Sequence, residues 1–584
     1  MNLSKQANEV LFLLLAMLIG ALAGVWALAF LALIKVGQWG FWAGPGYFLD
    51  RVLAAPWWLR VLIPTLGGLA VGPIIAFYAP EARGTGVPEV IEAATLQEGR
   101  IPPAKAALKV WVTGLTIATG GSVGREGPVV GIGAAIGSFM TRIFSFSTGK
   151  GRICLACGTA AAFAATFNTP ISGALFTIEV ILADMEIIYL GHIVIAAIVA
   201  VLISRQFLGD FPTFHVAPFI FHDNLELLVY LALGALAGLV AIAFTRGVYA
   251  TDRLFRRLPL PEWFKPALGG LGLGILAVAS PSILGVGYES INLSLAGKFV
   301  LATAAFLLVT KFLATLLCLG SGMSGGIMGP SLFLGAMLGT SLSLVTNHFF
   351  PHLQLVPTDY ALVGMGALVS GTTLGPITAT LIIFELSNSH EIIVPAMVSC
   401  IASFIVVKSL YGYSTYEMKL LRRGIKIFQG RAVHLLQSLQ VKDHMSKNME
   451  LIHDNTPLPE ILRRVEESDY PFFVVLDEKE ELSGVLTLWD LRRVLAHPEE
   501  GAVTLQARDL KTAEVVTIHP EDDFETAFHL LEKKNFSSLP VVLPPRDKVV
   551  VGILKIEDAL TAYNQQLLKE QTLRYPIPGT AKPE

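Results

Sequence analysis

Charge is scarce in this 584-residue chain: Asp, Glu, Lys and Arg make up 15% of it, against about 25% in an average soluble domain. With 53% hydrophobic residues and a mean hydropathy of +0.61, it lacks the polar surface that a water-soluble enzyme needs. Cysteine is scarcer still. Cys154, Cys157, Cys318 and Cys400 all sit in apolar segments, so no disulfide framework is expected. Cys154 and Cys157 form a CxxC, but no second pair or nearby His completes a metal site, and small-residue packing between helices is the better reading. There is no HExxH, and Ser147-Thr-Gly-Lys150 lacks the leading glycine of a phosphate-binding loop. Gly322-Met-Ser-Gly325 has no partnered His to activate its serine. These absences argue against an enzyme, and a net charge of −3 argues against a nucleic-acid partner.

Long apolar runs are abundant. The run from Val10 to Ile34 exceeds a signal-peptide core and has no clear cleavage site, so it reads as a first membrane helix. Further apolar stretches follow as far as residue 410, including 171–205 and 360–384. Several are too short for a hydrocarbon core of about 30 Å or are interrupted by Gly or Pro. Broken helices free backbone N–H and C=O groups that lipid cannot satisfy, so they belong where protein buries them or a polar path runs. Charge then returns abruptly. Residues 431–584 hold 26 acidic and 18 basic residues, against 20 and 25 in the first 430. A bilayer part is therefore followed by a soluble part. Lys419, Arg422, Arg423 and Lys426, just past the last apolar stretch, place this end in the cytoplasm.

Both parts repeat internally. Gly124-Arg-Glu-Gly-Pro-Val-Val-Gly-Ile-Gly-Ala-Ala-Ile-Gly137 aligns with Gly326-Ile-Met-Gly-Pro-Ser-Leu-Phe-Leu-Gly-Ala-Met-Leu-Gly339, an offset of 202. Pro170-Ile-Ser-Gly-Ala-Leu-Phe-Thr-Ile-Glu179 aligns with Pro376-Ile-Thr-Ala-Thr-Leu-Ile-Ile-Phe-Glu385 at an offset of 206. Two matches in the same order indicate a duplication. In the tail, Leu451-Ile-His453 and Thr517-Ile-His519 each open a strand–helix–strand–strand–helix unit. Gly484-Val-Leu-Thr-Leu-Trp-Asp490 and Gly552-Ile-Leu-Lys-Ile-Glu-Asp558 close them.

Three glycine-rich loops each carry a proline suited to a helix's first turn: Gly84-Thr-Gly-Val-Pro88, Gly124-Arg-Glu-Gly-Pro128 and Gly325-Gly-Ile-Met-Gly-Pro330. Helix N-termini present N–H groups and the positive end of the dipole, and glycine lets an anion approach them closely. A cation pore would instead be lined with carboxylates. Glu126 is the one convincing acid among these loops, and an ionisable residue at that depth points to function.

These motifs resemble the GSGIP, GREGP and GIFxP signatures of the CLC family of chloride channels and proton-coupled chloride exchangers, and the tail resembles the paired CBS modules that many of its members carry. Thr85 stands here for the usual Ser and Met328 for the usual Phe. The resemblance implies a polytopic α-helical membrane protein with an inverted internal repeat and broken helices, plus a cytoplasmic α+β CBS-pair domain. Its expected parts are a membrane domain at 1–420, a linker at 421–440, CBS modules at 441–497 and 507–565, and a tail at 566–584. It implies a homodimer in the lipid bilayer, with a path for chloride and other small anions in each subunit.

Residue by residue, the resemblance makes Glu126 the gate and puts Thr85, Tyr416 and the N–H groups of Ile327 and Met328 around the anion. The loops that frame the path contain Gly84, Gly86, Pro88, Gly124, Arg125, Gly127, Pro128, Gly326, Gly329 and Pro330. Other readings stay open at this point: Thr85 as a helix cap, Tyr416 as an interfacial anchor beside Tyr411 and Tyr413, and Glu126 in an ion pair with Arg125. Exchangers of the family usually carry a second glutamate where this chain has the non-titratable Val180. A voltage- or pH-gated chloride channel is therefore expected, with a Cl−/H+ antiporter as the alternative and a CBS-regulated cation channel as the remote one. Glu179 is a candidate proton donor, and Glu179 and Glu385 are equally candidate helix caps. No cofactor is required. Thr487, Asp490 and Asp558 follow the CBS pattern that contacts an adenine nucleotide, although Lys555 stands at the second threonine position.

Overall fold

The computed structural model describes residues 2–565 apart from 97–98, 145–147, 184–189, 210–213, 215–224, 388, 424, 426–438, 468–471, 496–504, 535, 544–547 and 563–564. Most of the expected 421–440 linker and all of the 566–584 tail lie outside the described residues. The chain divides into two compact units, Met1–Ile427 and Phe428–Glu584.

The first unit is helical. Among the described residues, seven helices are long and apolar enough to cross a membrane: Val10–Phe41, Trp57–Tyr78, Leu190–Leu208, Glu226–Arg257, Leu301–Ser321, Met328–Phe349 and Ile393–Leu421. Shorter apolar helices at Pro170–Leu182, Lys265–Ala279 and Pro376–Ser387 lie between them.

The duplication is visible in the packing. Glu126–Ile143 lies against Thr148–Phe167, and Met328–Phe349 lies against Pro357–Thr373. The aligned glycines sit at these contacts. A Cβ on Gly137 would come within 1.9 Å of the Cys154 carbonyl, and one on Gly339 within 1.8 Å of the Tyr360 carbonyl. Gly133 faces Gly158 and Gly335 faces Gly364 in the same way, each at 2.2 Å. Small residues at such contacts let the backbones approach closely, and the tight van der Waals packing holds the helices together in lipid. Cys154 thus belongs to a helix contact, and all four cysteines are buried and unpaired.

Two of the apolar stretches break where the sequence reads as continuous. The 360–384 stretch ends one helix at Thr373 and begins the next at Pro376. Between them Leu374 takes a left-handed φ of 56°. Asn168, its counterpart at the 206-residue offset, has φ 60° before Pro170. Asparagine tolerates this conformation, whereas for leucine it costs roughly 1–2 kcal/mol. The 171–205 stretch breaks similarly at Ala183, with φ 49°.

The second unit is α+β. Strand β1 (Leu451–His453) pairs in parallel with β2 (Phe472–Leu476), which pairs antiparallel with β3 (Leu482–Thr487). Strand β4 (Ser538–Val542) pairs antiparallel with β5 (Val550–Lys555). The expected strand at Thr517-Ile-His519 reduces to a single parallel bridge, Ile518 to Val541. Equivalent side chains fill the two cores: Phe473, Val475 and Leu486 in one, Leu539, Val541 and Leu554 in the other.

Candidate functional site

The three glycine loops, far apart in sequence, meet in the first unit. Gly124 and Gly326 exchange both backbone hydrogen bonds at 2.8 Å, forming an antiparallel bridge between the halves. Gly84 donates to the Met323 carbonyl at 3.2 Å and accepts from Gly325 N–H at 3.3 Å. Gly86 lies against Gly127, and Gly329 against Gly124. Each loop starts a helix, at Val87, Glu126 and Met328, with Pro88, Pro128 and Pro330 in the first turn. Three positive helix ends therefore converge.

Glu126 occupies the junction. It is 1% exposed, and its Oε1 accepts the Met328 N–H at 2.5 Å. A Cβ on Gly326 would stand 1.9 Å from Oε1, and one on Gly124 would stand 2.1 Å from Oε2. Glycine is required at both positions because the carboxylate fills the space a side chain would take. Oε2 is buried without a hydrogen-bond partner among the described residues. A carboxylate on a helix N-terminus occupies the place where a free anion would bind. Arg125 turns elsewhere: its Nη2 donates to the Thr166 carbonyl at 2.9 Å, and its guanidinium lies over the Phe167 and Tyr288 rings. Ile327 is the N-cap residue of the Met328 helix.

Thr85 and Tyr416 are both buried. Thr85 is not a cap, since Gly86 holds that position and no side-chain bond closes the turn. Thr85 instead lines a cavity of about 400 Å³ together with Gly84, Tyr249, Thr415, Lys419 and Arg422. Tyr416 is no interfacial anchor. It is 0% exposed, and its hydroxyl has no partner among the described residues, so a buried donor is left open there. Tyr411 lies under the Arg246 guanidinium, and Tyr413 is exposed.

Glu179 accepts the N–H of Ile377 at 3.1 Å, the N–H of Thr378 at 2.7 Å and the Thr378 hydroxyl at 2.6 Å. Glu385 does the same for Ile171 and Ser172, at 2.9 and 2.8 Å on nitrogen, and also takes the Ser172 hydroxyl. Val180 packs toward Gly375 at the start of the same helix that Glu179 caps. In the second unit, the Thr487 hydroxyl and N–H both donate to Asp490 Oδ2, at 2.7 and 2.9 Å, at the start of the Leu488–Leu495 helix. Asp558 lies in the helical stretch 556–562.

Sequence reasoning missed Lys109 and the contacts of Lys419 with the Thr85 loop. Both ammonium groups donate to the Thr85 carbonyl, at 3.1 and 2.9 Å. Lys419 read only as a topology signal, because its partners lie more than 300 residues away and nothing local announces them.

Residues 67–408 match the model of the family described as voltage gated chloride channel, and residues 441–497 and 507–565 match the CBS domain. A protein of Ralstonia nicotianae named as a ClcB-like chloride channel protein is 32% identical, over 70% of this chain and 96% of its own. The H(+)/Cl(−) exchange transporter ClcA of Yersinia pestis is 29% identical, over 75% and 93%. Among solved structures, a slow cyanobacterial Cl−/H+ antiporter superposes with a TM-score of 0.64 at 25% identity, covering 70% of this chain and 97% of that one. A eukaryotic CLC transporter, at 20% identity and TM-score 0.63, shares the fold over 94% and 98%.

Proposed function

Because the chain belongs to the voltage gated chloride channel (CLC) family of chloride-transport proteins, we propose that it is a passive chloride channel whose path Glu126 closes. The observation that carries this reading is the buried Glu126 carboxylate on the Met328 N–H, between two glycines that leave room for it. An arriving anion competes for the same N–H group, and protonation of the carboxylate releases it, so opening responds to pH or voltage. Thr85 and Tyr416 offer hydroxyl donors to chloride farther along the path. The N–H groups of Ile327 and Met328 receive the anion once Glu126 has left.

Proton coupling needs a titratable relay beyond Glu126. Val180 cannot titrate, and Glu179 is engaged by the Pro376–Ser387 helix, which supports passive flow. The exchanger is the second reading, supported by the similarity to the Yersinia pestis relative, which is named an H(+)/Cl(−) exchange transporter. Sealed liposomes under separate chloride, potassium and proton gradients test both readings. Conduction that follows chloride alone is expected. Uphill proton movement in fixed ratio to chloride would overturn passive flow, and a potential that follows potassium would overturn the anion assignment.

Two such subunits, each with its own path, would form the working homodimer, with the CBS modules on the cytoplasmic side. CBS pairs can bind adenine nucleotides, and Thr487, Asp490 and Asp558 are the residues that would contact one here.

A further inference from the structure

The backbone of the Thr85 loop is gripped by two ammonium groups, and one of them belongs to the helix that carries Tyr416. Lys419 Nζ donates to the carbonyl of Arg83 at 3.1 Å, to that of Thr85 at 2.9 Å and to Glu89 Oε1 at 2.6 Å. These bonds employ all three of its protons. Lys109 Nζ donates to the Thr85 carbonyl at 3.1 Å from a different helix and stands 3.8 Å from Glu89 Oε2. A carbonyl oxygen has two lone pairs, and here both are taken. The Thr85–Gly86 peptide is trans, so fixing its oxygen turns the Gly86 N–H to the opposite side, where Gly127 lies. The grip thereby sets the plane of the loop that presents Thr85.

Tyr416 and Lys419 are three residues apart on Thr415–Leu421, a spacing that puts them on neighbouring positions of one helix face. Ser414 and Glu417 close a capping box at its start, and the Thr415 backbone and hydroxyl are tied to Tyr249 and Thr245. This short helix is therefore well fixed. Through Lys419 it is fastened to the Thr85 loop, more than 300 residues away in sequence.

We infer that Lys419 is a positioning residue for the anion site between Thr85 and Tyr416: its ammonium sets the separation of the two hydroxyl donors and so tunes chloride affinity and selectivity. This inference rests on the proposed chloride path. It also goes beyond an ion pair with Glu89, because two of the three Lys419 bonds go to loop carbonyls.

The test is chloride binding to the full-length protein by calorimetry in detergent, with chloride-to-nitrate selectivity from liposome flux. Lys419→Met should weaken chloride binding by about tenfold, the scale of losing hydrogen bonds from a charged donor, and should reduce selectivity. Its response to pH, which Glu126 governs, should persist. Glu89→Gln leaves the carbonyl bonds in place and should stay within about twofold of wild type, short of the tenfold per 1.4 kcal/mol that a lost charged bond brings. Wild-type affinity and selectivity in Lys419→Met would overturn the inference, as would an equal loss in Glu89→Gln. Should the methionine variant not fold, Lys419→Gln retains a donor and should show a smaller loss in the same direction, and unchanged binding there overturns the inference too. No chloride binding by wild type would instead overturn the proposed function.

Discussion

Glu179 and Glu385 cap each other's halves of the membrane unit. Glu179, at the end of the first-half segment, accepts the free N–H groups at the start of the second-half helix Pro376–Ser387, and Glu385, near the end of that helix, accepts those at Pro170–Phe176. The two contacts are the same contact made twice by a duplicated sequence. Each carboxylate satisfies N–H groups that an interrupted helix would otherwise leave open.

Glu179→Ala should therefore act mainly on stability. Loss of the charged cap is expected to cost about 1–3 kcal/mol, read as a lower unfolding temperature in detergent. Glu179→Gln, which keeps one acceptor oxygen, should lose less and should retain chloride flux. A folded Glu179→Gln protein with no flux would return Glu179 to the transport mechanism.

For Glu126→Gln, anion flux should lose its dependence on pH while the protein stays folded. Protonated carboxyl and amide have similar shape, but the amide neither titrates nor carries charge. Flux in liposomes between pH 4.5 and 7.5 would be compared with wild type, and an unchanged pH profile would exclude Glu126 as the gate.

Gly326→Ala should evict the Glu126 carboxylate by steric conflict, since the new Cβ would lie 1.9 Å from Glu126 Oε1. The expected result is again flux insensitive to pH, without removal of the carboxylate. Gly131→Ala is the contrast. Its Cβ would meet nothing within 4 Å among the described residues, so it should stabilise its helix by about 0.5–1 kcal/mol and leave flux unchanged.

Tyr416→Phe separates ligand binding from folding. The hydroxyl has no partner among the described residues, so its removal should leave the unfolding temperature unchanged or raise it. Chloride affinity should fall several-fold, about the value of one neutral hydrogen bond. Equal affinity in calorimetry would remove Tyr416 from the anion site.

The sequence by itself determined the division into an apolar and a charged part, the duplication, the glycine–proline helix starts, and Glu126 as the acid that stands among them. These features are local: Gly and Pro act on their own turn, and apolar periodicity is read over one helix. Only the tertiary structure decided that the Gly84 loop joins Gly325, that Gly124 bridges Gly326, that Arg125 turns to Thr166 rather than Glu126, and that Lys419 holds the Thr85 carbonyl. Such contacts arise because a buried N–H, carbonyl or charge must find a partner where water is absent. Which partner it finds depends on what folding brings within about 3 Å, and no pattern along the chain encodes that.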